Sequence, residues 1–433
     1  MPESKLKSLR VAVLADSDTR WKWGALTAAR IADAAGPEGF LLRGRATPTA
    51  RQLEEVGVRA AALREVTAGG FLRAMGEEEY DVLVLALVGG GVQAVLHGLR
   101  HAWQGRARRP VVVTGYVGVV YEKLADGLLL RHGADVVLAN SRQDAERFRA
   151  VYEGVGADAR GVVECALPFL GGAAREPADE VRTVVFAVQP SVPERRADRL
   201  YLLRRAAEHA RLHPGREVLI KLRSRPGEHT THIEEHPYQK LARTLDLPAN
   251  CRLAYGHMGE ILDSADLLVT VSSTAALEAL HRGVPTAVLT DLGIREALGN
   301  HAFLGSGCLT SWDALDEGRL PVADTEWTAR QGVTSDQPYE RAFDAARARV
   351  AELAARTGLP PLAPYYTLAT APGYLPGILA RHRLAPDGSP LPGAADGDRA
   401  PGPLRQVVRQ AARGAYRHGV QRVAPVIRRM GEL

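Results

Sequence analysis

A run of small hydroxyl residues ends an apolar stretch in the second half of the chain. The segment ADLLVTVSSTAALEAL predicts a buried strand that leads into Ser272, Ser273 and Thr274, followed by a helix that carries Glu278 near its start. Hydroxyls at a helix start cap unpaired backbone N–H groups, and a helix start that follows a parallel strand favours phosphate binding. An ordinary N-cap explains the same spacing, so the residues alone leave both alternatives open.

A charged cluster follows another predicted strand, EVLIK. Lys221 is the last residue of this predicted strand, and Arg223 follows it two positions later. His229, His232 and His236 lie further along the chain. Guanidinium groups can grip a phosphate through paired hydrogen bonds. A solvated charged loop is the alternative interpretation, and because no strict metal-ligand spacing appears, we expect no metal site.

The first predicted strand ends in two carboxylates and two tryptophans. Either carboxylate, Asp16 or Asp18, could act as a general base toward the hydroxyl of an acceptor substrate, and Trp21 and Trp23 offer flat faces suited to stacking on a sugar. The pattern D-x-D-T is equally typical of an Asx-turn that caps a helix.

Three glycines, Gly89, Gly90 and Gly91, follow the fourth predicted strand. They belong to a formal G-x-G-x-x-A pattern, but this pattern lies after the fourth strand and has no acidic residue about 20 positions later. We therefore interpret it as a tight turn that lines a cleft and contacts the acceptor. No nicotinamide cofactor, and no other cofactor, is expected.

Apolar strands alternate with helical patterns along most of the chain, which predicts an α/β protein with two Rossmann-like, doubly wound parallel sheets. Ligands of such sheets bind at the carboxyl ends of the strands, in a cleft. The predicted divisions are a first domain (1–170), a linker (171–182), a second domain with crossing helices (183–384), a disordered linker (385–403) and a basic amphipathic tail (404–433).

Charge is concentrated at the carboxyl terminus. The 433 residues carry a net charge of +5, but residues 404–433 hold seven arginines and one acid, so the remaining chain has a net charge of −1. The body therefore lacks the basic surface of a nucleic-acid-binding protein. Three separated cysteines and the lack of a long apolar run predict a cytoplasmic protein, whose tail is either a membrane-surface helix or a soluble extension.

The segment from Ala265 to Leu289 resembles the donor-binding segment of glycosyltransferases with the GT-B architecture, and is similar to motifs of bacterial sialyltransferases and lipid A disaccharide synthases. The whole chain resembles an actinobacterial family of glycosyltransferases. This resemblance implies nucleotide phosphate at the hydroxyl triplet and at Lys221 and Arg223. It also implies ribose or base contacts by Glu278, His232 and His236, and Asp16 or Asp18 as the base.

From this resemblance we expect an inverting, metal-independent glycosyltransferase that uses a nucleotide-sugar donor, either a CMP-nonulosonate or a nucleoside diphosphate sugar. The expected acceptor is a cell-surface glycan or polymer, and the tail would bring the enzyme to the inner face of the plasma membrane. A sugar-nucleotide 2-epimerase of the same two-domain fold and a non-catalytic nucleotide-binding membrane scaffold are the alternatives.

Overall fold

A computed structural model describes residues 9–32, 36–119, 124–175, 180–225, 228, 234–334 and 337–393. Within these ranges the chain forms two parallel β-sheets with helices on both faces. The predicted fold of two Rossmann-like domains is confirmed.

The first sheet contains seven strands in the order β3-β2-β1-β4-β5-β6-β7, all parallel. Its central strands are apolar and wholly buried because helices cover both faces. The strands are β1 (Val11–Ala15), β2 (Glu38–Leu42), β3 (Ala62–Val66), β4 (Val82–Ala86), β5 (Val111–Gly115), β6 (Val136–Ala139) and β7 (Val162–Glu164).

Six helices connect these strands. Thr49, Thr67 and Ser141 cap three of them by accepting a backbone N–H bond in the first turn, which fixes where each helix begins. The helices are α1 (Asp18–Ala32), α2 (Ala50–Val56), α3 (Ala68–Glu77), α4 (Gly89–Ala102), α5 (Leu124–Leu129) and α6 (Arg142–Gly154).

The second sheet contains six parallel strands in the order β10-β9-β8-β11-β12-β13. They are β8 (Thr183–Ala187), β9 (Glu217–Lys221), β10 (Cys251–Ala254), β11 (Leu267–Thr270), β12 (Thr286–Leu289) and β13 (Leu309–Thr310). The helices of this domain are α7 (Arg196–Leu212), α8 (Tyr238–Ala242), α9 (Met258–Asp263), α10 (Ala275–His281), α11 (Trp312–Asp316) and α12 (Thr325–Arg330), with short 3-10 turns at Glu296–Leu298 and Asn300–Phe303.

The last part of the described chain returns to the first domain. After a 3-10 turn (Tyr339–Phe343), α13 (Asp344–Ala354) buries Val350 against the face of the first sheet that α1 covers, and α14 (Leu375–Arg381) buries Leu379 on the other face. No helix in the described ranges is long and apolar enough to cross a membrane.

Composition predicts disorder from residue 385, but residues 385–393 form specific backbone contacts. The amide of Ala385 donates to the carbonyl of Ser389 at 2.8 Å, and the amide of Leu391 donates to Arg383. Gly388 packs so closely on the carbonyl of His97 that a β-carbon would lie 2.5 Å from that oxygen. The disorder prediction is therefore wrong for 385–393, because the returning segment supplies contacts that its composition does not reveal. The basic tail lies outside the described residues.

Helix α1 approaches the first sheet through Gly24. A β-carbon at this position would lie 2.7 Å from Val13 Cγ1 and 2.9 Å from Ala86 Cβ, and both atoms belong to rigid strand residues. Because α1 carries Asp18 at its first position, this packing also sets the place of that carboxylate.

We predict that Gly24→Ala lowers the free energy of unfolding by about 1–3 kcal/mol, because overpacking forces the helix away from the sheet. Gly76→Ala is the matched control: its β-carbon meets no atom within 4 Å, and it lies within α3. It should stabilise by about 0.5–1 kcal/mol through helix propensity. Urea unfolding of both variants measures the difference, and equal effects would disprove close packing at Gly24.

Candidate functional site

A cavity of about 1200 Å³ lies between the carboxyl ends of the two sheets. Both domains contribute charged and polar side chains to its lining. Those discussed below are Asp18, Thr19, Lys22 and Glu55 from the first domain and Gln189, Lys221, Arg223, His257, Ser272, Ser273, Thr274, Glu278 and Arg295 from the second. The size of this cavity and the polar groups that converge on it are typical of a small-molecule binding site.

In the second sheet the strand order changes direction between β8 and β11, and Gln189 and Ser272 meet there. The amide of Ser272 donates to Gln189 Oε1 at 3.0 Å, and Gln189 Nε2 donates to Ser272 Oγ at 3.2 Å. The Ser272 hydroxyl in turn donates to the carbonyl of Leu298 at 2.6 Å, and the residue is 1% exposed. The sequence-based assignment of this hydroxyl to phosphate does not fit, because the protein itself uses it to fix the loop.

Ser273 and Thr274 are half-buried at the cavity wall. Ser273 Oγ accepts the amide of Ala275 at 3.2 Å, and the amide of Ser273 donates to Thr270 Oγ1 at 3.1 Å. Within the described ranges, neither the hydroxyl nor the amide of Thr274 has a hydrogen-bond partner. Thr274 is therefore the member of the triplet whose polar groups remain available to a ligand.

Asp18 and Arg223 form an ion pair across the cleft. Arg223 Nη2 donates to Asp18 Oδ1 at 2.7 Å and also contacts the Thr19 hydroxyl. The side chain of Asp18 is 11% exposed and that of Arg223 is 30% exposed, so the guanidinium is the more accessible partner. The expected base and the expected phosphate ligand thus contact each other.

A second pair of opposite charges joins Lys22 to Glu278. Lys22 Nζ lies 3.7 Å from Glu278 Oε2, and both side chains are mostly buried. Lys22 also sits over the ring of Phe169, 4.9 Å from its centre.

Beyond the pair of Lys22 and Glu278, the cleft continues into a second cavity of about 740 Å³, which shares Phe169 and His257 with the first. Burial and the nearby Lys22 cation lower the pKa of His257, which favours its neutral form.

Glu55 of α2 reaches the second domain as well. Its carboxylate lies 3.6 Å from Lys221 Nζ and accepts the amide of Gly256 at 3.0 Å. Burial lowers the pKa of Lys221, while Glu55 acts in the opposite direction, and the ammonium also donates to the carbonyl of Leu222. Lys221 is only 5% exposed, so it ties the domains together more than it offers a site for phosphate. Arg51 and Glu228 form a further ion pair between the domains.

Asp16 does not line the cavity. Its carboxylate accepts from Arg20 at 2.8 Å and from the amide of Val88 at 3.1 Å, which bridges β1 and β4 where the order of the first sheet reverses. Of the two carboxylates predicted as the base, the structure brings only Asp18 to the cleft.

The prediction that Trp21 and Trp23 stack on a sugar is wrong for this structure. They are 1% and 0% exposed and belong to the first-domain core. Their rings lie over Gly39 of β2 and Gly115 of β5, where a β-carbon would come within 3 Å of the indole. Helix α1 begins at Asp18, which turns both tryptophans toward the sheet.

The predicted glycine turn also lies outside the cavity lining. Gly89, Gly90 and Gly91 form the first turn of α4, where Gly89 packs on Leu130 and Gly91 on Leu87. An acceptor contact at these glycines is therefore not supported by their position.

The two predicted base- or ribose-contacting histidines remain without support. His236 does not line the cavity, and its carbonyl accepts from Arg199 at 3.0 Å. His232 lies outside the described residues.

A separate cluster has the composition of a metal site. His209, His213 and Asp316 place their potential ligand atoms within 4.8 Å of one another. However, His209 Nδ1 bonds to Asp316 at 2.6 Å, Nε2 faces Arg216 at 3.1 Å, and Arg205 also binds Asp316. Two guanidinium groups oppose a cation there, and the cluster instead docks α11 on α7.

Several cleft residues carry no signal, or only a weak one, in the sequence. Lys22 lies between two tryptophans and Glu55 within a short helix, and no local sequence pattern marks either residue as part of a binding site. Gln189 carried a signal, because it follows β8 as Ser272 follows β11, and the ends of these adjacent strands must meet. Arg295 and His257 lie on loops after β12 and β10, at the same edge of the sheet.

We predict that Gln189→Leu lowers the free energy of unfolding by about 1–3 kcal/mol, because it leaves the Ser272 amide without its acceptor in a buried place. Amide hydrogen exchange of the peptide that contains Ser272 should become faster. The control is Gln104→Leu, at an exposed side chain with no partner among the described residues. Unchanged exchange at Ser272 in Gln189→Leu would contradict the bridging role.

Comparisons with known proteins agree with this architecture. A structure described as "putative UDP-N-acetylglucosamine 2-epimerase from Listeria monocytogenes" is 12% identical, covers 80% of this chain and 96% of its own, and superposes with a TM-score of 0.51. The UDP-GlcNAc 2-epimerase from Neisseria meningitidis (10% identical, 79% and 99% covered, TM-score 0.48) and the kitacinnamycin glycotransferase (14%, 81% and 96%, 0.41) are further matches. Similarity at this level concerns the fold alone. No curated protein sequence matches the chain.

The sequence of this chain also matches a family model. The model described as "Putative glycosyltransferase (DUF6716)" matches residues 11–353, which span both sheets and every cleft residue discussed above. Since this match covers most of the chain, the protein belongs to the DUF6716 family, which that description names.

Proposed function

We propose that this chain transfers a sugar from a nucleotide-activated donor to an acceptor hydroxyl, within the cavity between the two domains. One observation carries the proposal: a carboxylate of the first domain and a phosphate-compatible set of groups of the second domain line the same cavity. Family membership supports sugar transfer as the reaction class.

The donor phosphate is assigned to Thr274 and Arg223, with Ser273 beside them. Thr274 has an amide and a hydroxyl without partners in the described chain, and Arg223 is a cation of the cavity lining whose side chain is 30% exposed. Glu278 is assigned to the ribose, because its carboxylate sits one helical turn beyond Thr274 and can accept hydrogen bonds from two hydroxyls. The proposed donor is a CMP-nonulosonate or a nucleoside diphosphate sugar.

Asp18 is assigned as the general base. It is the first-domain carboxylate that faces Arg223, so an acceptor hydroxyl beside it would approach a sugar whose phosphate leaves toward the second domain. The guanidinium and the amide at Thr274 would stabilise the charge that develops on the leaving phosphate. A direct displacement of this kind inverts the anomeric centre. The second cavity, beyond Lys22, offers space for a cell-surface glycan or polymer acceptor.

The function is tested by incubating the full chain with CMP-, CDP- and UDP-activated sugars and measuring nucleotide release with and without a glycan acceptor. Asp18→Asn is expected to lower the transfer rate by about 10²- to 10⁴-fold, since the base is lost. Asp16→Asn, at the same strand end but outside the cavity, should keep most of the activity.

Nucleotide release in the absence of any acceptor would favour the epimerase alternative, and nucleotide binding without turnover would favour a scaffold. Wild-type transfer by the Asp18→Asn variant would remove Asp18 from the mechanism while leaving the reaction class intact.

We further propose that the chain acts in the cytoplasm at the inner face of the plasma membrane. Seven arginines against one acid in 404–433 provide the attraction to anionic lipid, while the rest of the chain has a charge of −1.

We predict that a chain ending at Gly393 keeps its fold and nucleotide affinity but binds phosphatidylglycerol vesicles more weakly than the full chain. Binding by the full chain should weaken as salt rises, because surface attraction is screened. Co-sedimentation measures both, with neutral phosphatidylcholine vesicles as the control. Equal binding by the two chains would reject the membrane role of the tail.

A further inference from the structure

The guanidinium of Arg223 faces the cleft and forms an ion pair with a carboxylate of the same chain. Its Nη2 donates to Asp18 Oδ1 at 2.7 Å, and this is the contact that joins the base and the phosphate ligand of the proposed reaction. The other nitrogens of Arg223 have no partner among the described residues. In the ligand-free cleft, the negative charge nearest to this cation is therefore Asp18.

A second anion cannot join Asp18 at this guanidinium without cost. Two negative groups that share one cation repel each other, and each one weakens the binding of the other. The side chain of Arg223 is 30% exposed, so a phosphate in the cleft can reach it, whereas Asp18 is 11% exposed and held at the start of α1. Phosphate binding must therefore act against the Asp18 contact.

We infer that Asp18 occupies on Arg223 the position that the donor phosphate takes, and that phosphate binding exchanges one anion for the other. The exchange breaks the Asp18–Arg223 hydrogen bond, forms a phosphate–Arg223 bond, and transfers no proton. It leaves the Asp18 carboxylate able to accept a hydrogen bond from an acceptor hydroxyl. The base is thus exposed only when the donor is in place, which couples donor binding to activation of the acceptor. This inference rests on the proposed function for its consequence, but the exchange itself is a property of binding.

A second ion pair between the two domains lies beside the pair of Asp18 and Arg223. Glu55 of the first domain lies 3.6 Å from Lys221 of the second, and the side chains of this pair are 16% and 6% exposed. Because the side chain of Arg223 is 30% exposed and that of Lys221 only 6%, a ligand in the cavity can reach the cation of the Asp18 pair more readily than that of the Glu55 pair. Glu55→Gln therefore removes an acid whose ion-pair contacts are Lys221 and Arg51, and not Arg223.

The test is calorimetric titration of the full-length protein with pyrophosphate and with CDP. Asp18→Asn is expected to bind both about fivefold more tightly than wild type, which is the upper range for a partly exposed ion pair. Asp16→Asn and Glu55→Gln, which remove the same charge away from Arg223, should change affinity much less. In an Arg223→Gln background the gain from Asp18→Asn should vanish, because Asp18 and the phosphate then no longer compete for the same cation.

Unchanged or weaker binding by Asp18→Asn would overturn the inference, and weaker binding would make Asp18 a group that positions Arg223 for the phosphate. A gain that persists in the Arg223→Gln background, or equal gains in all three acid variants, would reduce the effect to general electrostatics and also overturn it. Absence of pyrophosphate binding by wild type and Asp18→Asn alike would show that Arg223 is not a phosphate ligand. None of these readouts requires turnover, so failure of the transferase proposal is recognised separately, by the absence of sugar transfer.

Discussion

Opposite charges that meet across the cleft hold the two domains in the arrangement on which the whole site depends. Asp18 faces Arg223, Glu55 faces Lys221 and Lys22 faces Glu278, so each domain supplies both acids and bases to its partner. Such partly buried pairs contribute little net stability, because desolvation offsets much of the attraction. Their effect is to set the relative position of the two sheets, whose carboxyl edges meet with acidic and basic side chains in contact. The exchange inferred above concerns one of these pairs, Asp18 and Arg223.

Each sheet anchors its own edge in a similar way. At the point where strand order reverses, one side chain bridges two strand ends: Asp16 binds the amide of Val88 in the first domain, and Gln189 binds the amide of Ser272 in the second. These bridges occupy polar groups that the sequence alone presents as possible ligand contacts, among them Asp16 and Ser272. Thr274 and Arg223, to which the proposed function assigns the phosphate, take no part in these bridges, and Asp18 is the carboxylate that faces them.

The sequence predicted the two parallel sheets because strands buried on both faces are apolar throughout, as in VAVLA and VLVLA. It could not distinguish Asp16 from Asp18, since both lie at the same strand end and only the neighbouring strand decides which one is bound internally. Trp21 and Trp23 were misjudged because a short motif does not show which face of its helix meets the sheet. Lys22, Glu55 and Gln189 owe their roles to residues far away in sequence, and no local pattern marks such partners.

The central claim is that nucleotide phosphate binds between Thr274 and Arg223, in the cavity between the domains. A crystal structure of the full chain with a bound nucleoside diphosphate tests it most directly. The account predicts phosphate oxygens within hydrogen-bond distance of the Thr274 amide and the Arg223 guanidinium, the ribose beside Glu278, and Asp18 released from Arg223. A nucleotide bound outside this cavity, or one in the cavity whose phosphates contact neither Thr274 nor Arg223, would contradict the account.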